Sequence, residues 1–187
     1  MPAKSKNLLI LLGSPREDGN TTRLAFAFAD AACAKGWTVQ SIRVPALEIN
    51  ACTACGECNR NRFFCALRDD MDSVYPLLLK ADAILFATPL HFSSFSSSLK
   101  LLVDRLLPIV PGNRKNLAGK TVFLVSACGN PAAAAFRPLK AAFADIAAFM
   151  QWKTAGALCL PGLDAPDALA SDPAPLAKAA ALAAKLP

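Results

Sequence analysis

A chain of 187 residues, 54% of them hydrophobic, is enough to bury the core of one domain, and residues 1–187 read as a single unit. The formal charge of +6 permits anionic partners, with local basic density at Arg60, Arg62, Arg114, Lys115 and Lys120. There is no dense Lys/Arg run and no nucleic-acid-binding motif, so the composition argues against nucleic acid and for solubility or attraction of phosphate-bearing small molecules.

Along the chain, short apolar runs alternate with helix-length segments, a βαβα rhythm that predicts a parallel sheet covered by helices on both faces. The expected strands are residues 7–12, 38–44, 83–87, 121–126 and 154–158. The first run, Leu8-Leu9-Ile10-Leu11-Leu12, is closed by Gly13, Pro15 and the charged Arg16, Glu17 and Asp18. It is too short for a signal segment or a membrane span and reads as a buried strand. A helix is expected over residues 21–35, with Leu24, Phe28, Ala31 and Ala32 on one face and Gly36 as its stop.

Between that strand and helix lies Gly13-Ser14-Pro15-Arg16-Glu17-Asp18-Gly19-Asn20-Thr21-Thr22, at the place where doubly wound sheets bind phosphates. Backbone N–H groups at the helix start point outward with the positive end of its dipole. Ser14, Thr21 and Thr22 add hydroxyls, and Arg16 adds a charged fork. Neither Gly-x-x-x-x-Gly-Lys nor Gly-x-Gly-x-x-Gly is present, which favours a monophosphate over a nucleotide triphosphate or an adenine dinucleotide. A polar turn leading into a Thr-capped helix would have the same composition.

Four cysteines follow within fourteen residues, Cys52-x2-Cys55-x2-Cys58-x6-Cys65. Thiolates are soft ligands suited to iron–sulfur clusters, zinc or copper(I), and three at consecutive two-residue gaps can converge on one centre from a single loop. Zinc ribbons separate two Cys pairs by a longer spacer, so the spacing favours an iron–sulfur cluster. Zinc, dithiol redox chemistry and plain structural cysteines remain as alternatives. Seven cysteines, an odd number with no sign of export, argue against a disulfide framework and for a reduced cytoplasmic setting. Cys33, Cys128 and Cys159 read as small core residues.

A second helix is expected near Asp70, whose carboxylate could cap it, with Pro76 delaying or kinking it. The third strand opens into Pro89-Leu90-His91-Phe92-Ser93 at the carboxyl edge of the sheet, where ligands of open α/β sheets bind. His91 is the only histidine; a plain surface imidazole is the alternative to ligand contact. Further helices are expected over 94–106, 136–150 and, after the Pro-rich segment 161–175, over 176–185. Lys100, Asp104 and Arg105 read as a solvated helix face with an i,i+4 ion pair. The fourth strand opens into Cys128-Gly129-Asn130, a loop able to present backbone groups to a planar ring. Residues 161–187 carry no readable motif.

These segments together resemble the NADPH-dependent FMN reductase family of flavodoxin-like proteins, and within it the iron–sulfur flavoproteins. The resemblance covers roughly residues 7–130 and rests on four motifs in order: Gly13 to Thr21, the four-cysteine loop running to Asp69-Asp70-Met71, Pro89 to Phe92, and Lys100 with Asp104-Arg105. It implies a flavodoxin-like doubly wound sheet of five parallel strands. It also implies an FMN-dependent oxidoreductase fed by NAD(P)H, with small-molecule or ferredoxin-type redox partners. Ser14, Arg16, Asn20, Thr21 and Thr22 would hold the FMN phosphate. Pro89, Leu90, His91 and Phe92 would line the isoalloxazine, and Gly129 would border it. Cys52, Cys55, Cys58 and Cys65 would ligate a 4Fe-4S cluster that exchanges single electrons with the flavin. Two positions depart from the family: His91 stands where Tyr is frequent, and the last cysteine gap lacks the usual glycine.

No acid–base dyad is evident, in keeping with chemistry carried by a flavin. The resemblance further implies a homodimer or homotetramer, with the apolar loop 92–95 against a second subunit. Two other classes compete: a non-enzymatic flavodoxin-like electron carrier, and a zinc- or thiol-based redox sensor on the same scaffold.

Overall fold

The computed structural model describes residues 5–60, 65–110, 118–165, 168–169 and 172–187. Five parallel strands, β1 (Asn7–Leu12), β2 (Thr38–Arg43), β3 (Ala83–Pro89), β4 (Thr121–Ala127) and β5 (Lys153–Leu160), form one sheet in the order β2-β1-β3-β4-β5. This is the flavodoxin-like doubly wound arrangement, and its strand order reverses between β1 and β3. β3 and β4 are buried almost throughout, whereas the edge strands β2 and β5 are only partly covered. The continuous apolar reading of the central strands follows from burial on both faces.

Among the described residues, six α-helices accompany the sheet: α1 (Asn20–Ala34), the short α2 (Glu57–Arg60), α3 (Met71–Lys80), α4 (Ser97–Asp104), α5 (Arg137–Phe149) and α6 (Ala174–Leu182). Alternation along each strand divides the core into two layers. Leu9, Leu11, Ile84, Phe86, Val122 and Leu124 pack with α3, α4 and α5. Leu8, Ile10, Leu12, Leu85, Phe123 and Val125 pack with α1 and α6. Phe28 of α1 meets Phe123 edge-on at 5.0 Å.

The α1 stop is a Schellman arrangement. Gly36 sits at φ +82°, its N–H donates to Cys33 O at 2.8 Å, and Trp37 N–H donates to Ala32 O at 3.1 Å.

Four expectations are corrected. Asp70 does not cap α3: its Oδ2 accepts from Glu48 N–H at 2.8 Å, and Asp69 Oδ1 takes the Met71 N–H at 3.1 Å. Pro76 does not delay that helix, which starts at Met71 and runs on to Lys80. Cys33 is exposed, not a core residue, because it lies on the outward face of α1; Cys128 and Cys159 are partly buried. Arg105 is no part of a solvated face. It is 1% exposed and bonded to Asp69, while Lys100 and Asp104 do form the expected surface pair at 2.5 Å. Among the described residues, no helix is long and apolar enough to cross a membrane.

Candidate functional site

The carboxyl ends of β1, β3 and β4 and the segment after β5 surround a cavity of about 430 Å³. Its walls bring together Ser14, Arg16, Asn20 and Thr21 from the first loop, Pro89, Leu90 and His91 after β3, and Cys128 and Gly129 after β4. Eight of the ten expected cofactor-binding residues therefore share one cavity. Thr22 and Phe92 are not among its lining residues. Thr22 Oγ1 turns inward and donates to Arg16 O at 3.2 Å. Phe92 is fully exposed at the tip of a tight turn.

The polar end is shaped by its own backbone. Ser14 Oγ accepts from Arg16 N–H and donates to Arg16 O, both at 3.2 Å, so this hydroxyl holds the loop closed. Gly13 N–H donates to Ala87 O at 2.7 Å, and a Cβ on Gly13 would fall 2.8 Å from Ser96 Oγ and 2.9 Å from Leu99 Cβ. Only glycine allows the end of β1 to approach α4 this closely. α1 begins after an extended Gly19 with no side-chain cap, and its first intrahelical bond is Arg23 N–H to Gly19 O at 3.0 Å. The N–H groups of Asn20, Thr21 and Thr22 thus lack intrahelical acceptors, the state that suits an anion. Glu17 is engaged by Arg43 at 2.6 Å, and Arg16 stays exposed at the cavity rim.

Asn20 has a different part from the one expected. Its Nδ2 donates to Ala165 O at 2.7 Å and Leu163 O at 3.4 Å, which ties the segment after β5 to the first loop. Its Oδ1 is buried without a partner. That segment also supplies Leu163 and Asp164 to the cavity, residues the sequence reading missed. It is laced to the loop after β4 by Leu163 N–H to Cys128 O at 2.8 Å and Gly162 N–H to Asn130 O at 3.1 Å. The available signal was position: the segment leaves a strand at the ligand-binding edge through Pro161-Gly162, and Gly162 has φ +75°. At Gly129 a Cβ would lie 2.6 Å from Asp164 Oδ1, so glycine is what lets the two loops meet.

On the ring side, His91 and Ser94 exchange backbone bonds of 3.1 and 2.9 Å around Phe92 (φ +45°) and Ser93 (φ +64°). Two consecutive left-handed residues without glycine cost conformational energy. Burial pushes the Cys128 thiol up, only partly offset by a hydrogen bond from the Asn130 backbone, so it stays protonated near neutrality. Burial pushes Cys159 up to about 11.

An anion-ready helix start, an arginine at the rim and an apolar Pro89–Leu90 wall fit a cofactor with a phosphate at one end and a planar ring at the other.

In the cysteine loop, Cys52 and Cys55 are exposed while Cys58 and Cys65 are partly buried. Burial raises the Cys58 pKa, and the charges of Cys65, Cys52 and Cys55 raise it further. Their chemistry fits a soft metal centre. Among the described residues, however, no three Cys, His, Asp or Glu side chains are grouped so as to hold an ion. The loop's ends meet at Asp69 and Arg105. Burial alone would raise the Asp69 carboxyl pKa; the Arg105 guanidinium and the N–H groups of Asn50 and Met71 outweigh it and hold the group below the usual carboxylate range.

Residues 7–158 match the NADPH-dependent FMN reductase family. An iron-sulfur flavoprotein of Archaeoglobus fulgidus is 32% identical over 124 residues, 65% of this chain and 55% of that protein. The iron-sulfur flavoprotein of Methanosarcina thermophila is 34% identical over 108 residues, 58% of this chain and 54% of that protein. The chain thus spans about half the length of these relatives. Among solved structures, the NAD(P)H:quinone oxidoreductase from Methanothermobacter marburgensis superposes with a TM-score of 0.78 at 17% identity, covering 96% of this chain and 94% of that one.

Proposed function

Since the chain belongs to the NADPH-dependent FMN reductase family, we propose that it is a flavin-dependent oxidoreductase that binds FMN in the cavity at the carboxyl edge of its sheet. The observation that carries this reading is the union, in one cavity, of an uncapped helix start with an apolar wall. Arg16 and the N–H groups at the start of α1 would hold the phosphate, assisted by Thr21. Ser14 and Thr22 would keep that loop in shape, and Asn20 would do so through its bonds to residues 163 and 165. Pro89, Leu90 and His91 would line the ring, with Gly129 and Asp164 at its border. FMN, when bound, supplies the exchange between a two-electron donor such as NAD(P)H and one-electron carriers. The protein binds, orients and excludes water.

The same reading assigns Cys52, Cys55, Cys58 and Cys65 to a 4Fe-4S cluster, supported by the donor chemistry and by the names of the relatives. It places the protein in the cytoplasm as a one-domain homodimer or homotetramer serving small-molecule or ferredoxin-type partners.

The test is FMN titration of the flavin-free protein, followed by steady-state NADH and NADPH oxidation and by iron and zinc analysis of protein purified without oxygen. Micromolar or tighter FMN binding with turnover supports the reading. FMN binding without NAD(P)H oxidation makes the protein an electron carrier. Zinc with no flavin uptake makes it a redox sensor.

A further inference from the structure

Arg105 is the largest fully buried side chain among the described residues, at 1% exposure, although it lies only five residues beyond the exposed Lys100 on the same helical segment. Its Nη1 donates to Asp69 Oδ2 at 2.6 Å and to Asn50 O at 2.8 Å, and its Nη2 donates to Asp69 Oδ1 at 3.2 Å. Asp69 Oδ2 in turn accepts the Asn50 N–H at 3.0 Å. Asn50 precedes the first of the four clustered cysteines by two positions and Asp69 follows the last by four. One buried ion pair therefore grips both ends of the loop that carries Cys52, Cys55, Cys58 and Cys65. A second pair of bonds closes the loop's base just outside, from Glu48 N–H to Asp70 Oδ2 at 2.8 Å and from Asp70 N–H to Glu48 O at 3.3 Å.

For stability alone, an apolar pair of similar volume would serve as well as a buried ion pair, because desolvating two charges offsets much of their attraction. What apolar side chains cannot do is hold the backbone of Asn50 by both its N–H and its carbonyl. We propose that Arg105, through Asp69, is the positioning residue of the cysteine site, closing the neck of the 52–65 loop and holding its thiols in place against the body of the protein. The proposal rests on reading those thiols as one site. The grip is attached to the cavity side by a rigid element: α4, eight residues and about 12 Å long, runs between its N-cap Ser96 and its C-cap Arg105. Ser96 N–H is bonded to Thr88 Oγ1 at 2.9 Å, at the end of β3.

The decisive variant is Arg105→Met with Asp69→Leu, which removes the grip while keeping the neck filled. In metal-free protein, Cys58 and Cys65, both partly buried, report on the loop through their rates of alkylation by iodoacetamide, read residue by residue by mass spectrometry. The expected result is at least tenfold faster alkylation of both, with the unfolding temperature and FMN affinity close to wild type. After anaerobic reconstitution, iron per chain should fall at least twofold. A pair with only a structural role would leave the alkylation rates of the folded protein unchanged, whatever the unfolding temperature does; that result overturns the proposal. If the double variant does not fold, Arg105→Lys, which keeps the charge and loses the fork, decides by the same rates. A wild-type chain that takes up no iron would remove the cluster, and the alkylation rates would still decide the clamp.

Discussion

Arg16 and Gly129 line one cavity, and their replacements should fail in different ways. Arg16 is exposed, so its bond to a phosphate belongs at the low end for charge-assisted hydrogen bonds, about 1.5 kcal/mol. Arg16→Ala should therefore weaken FMN binding about tenfold in a fluorescence titration and leave the unfolding temperature unchanged; equal affinity would remove Arg16 from the phosphate site. Gly129→Ala puts a methyl group where Asp164 Oδ1 and Cβ now lie, 2.6 and 2.9 Å away, so the whole Asp164 residue must move. Overpacking of this kind costs about 1–3 kcal/mol. Both the unfolding temperature and FMN affinity should drop. Cys128 offers a footprint of the cavity. With its pKa raised by burial, its thiolate fraction and alkylation rate should climb only at a pH above that of an unperturbed cysteine thiol, and bound FMN should protect it. Equal labelling of Cys128 with and without FMN would place the flavin elsewhere.

At the scale of elements, loops and helix ends carry the function while strands hold it still. α3 shows how a single position redistributes roles: Asp69 takes the Met71 N–H and the Arg105 guanidinium, and Asp70 turns back to Glu48. The buried Lys120 closes the other end of α3 by donating to Leu79 O at 3.0 Å and to Ala81 O. Because the folded Asp69 carboxyl sits below its unfolded pKa, its stabilisation is complete above the ordinary carboxylate range, about pH 4, and disappears as the pH falls through the lower folded value. Unfolding temperatures measured from pH 7 down to pH 2.5 should therefore drop more steeply in wild type than in Arg105→Met/Asp69→Leu; parallel curves would contradict this. Removing one partner alone leaves an uncompensated buried charge, and Asp69→Asn should cost about 3–5 kcal/mol in denaturant unfolding. Cys55→Ser sits on the exposed part of the loop and should abolish iron binding without changing the unfolding midpoint. Unchanged iron content would exclude Cys55 as a ligand.

For the molecule as a whole, the exposed Phe92, held on a left-handed turn beside the cavity, gives the proposed oligomer a contact point. Light scattering should return a dimer or tetramer; a monomer with full flavin occupancy would contradict it. The five parallel strands and the helical layers on both faces were legible because they depend on local signals. Those signals are runs of five or six apolar residues, glycines at turns, and a loop between the first strand and helix. Several motifs in order were enough to recognise the family. The misplaced residues are those whose setting comes from distant parts of the chain. Arg105 looked like half of a surface pair until Asp69, thirty-six positions earlier, was brought against it. Asn20 looked like a phosphate donor until the segment after β5 claimed its amide. Leu163 and Asp164 had no motif, yet they wall the cavity. The sequence by itself determined the family, the alternation of strands and helices, and the chemistry of the side chains available at the sheet's edge, because each is written in neighbouring residues. Only the tertiary structure decided which polar groups remain open to a ligand and which are consumed in holding the fold, because burial and hydrogen-bond partnership are set by the parts of the chain that pack over them.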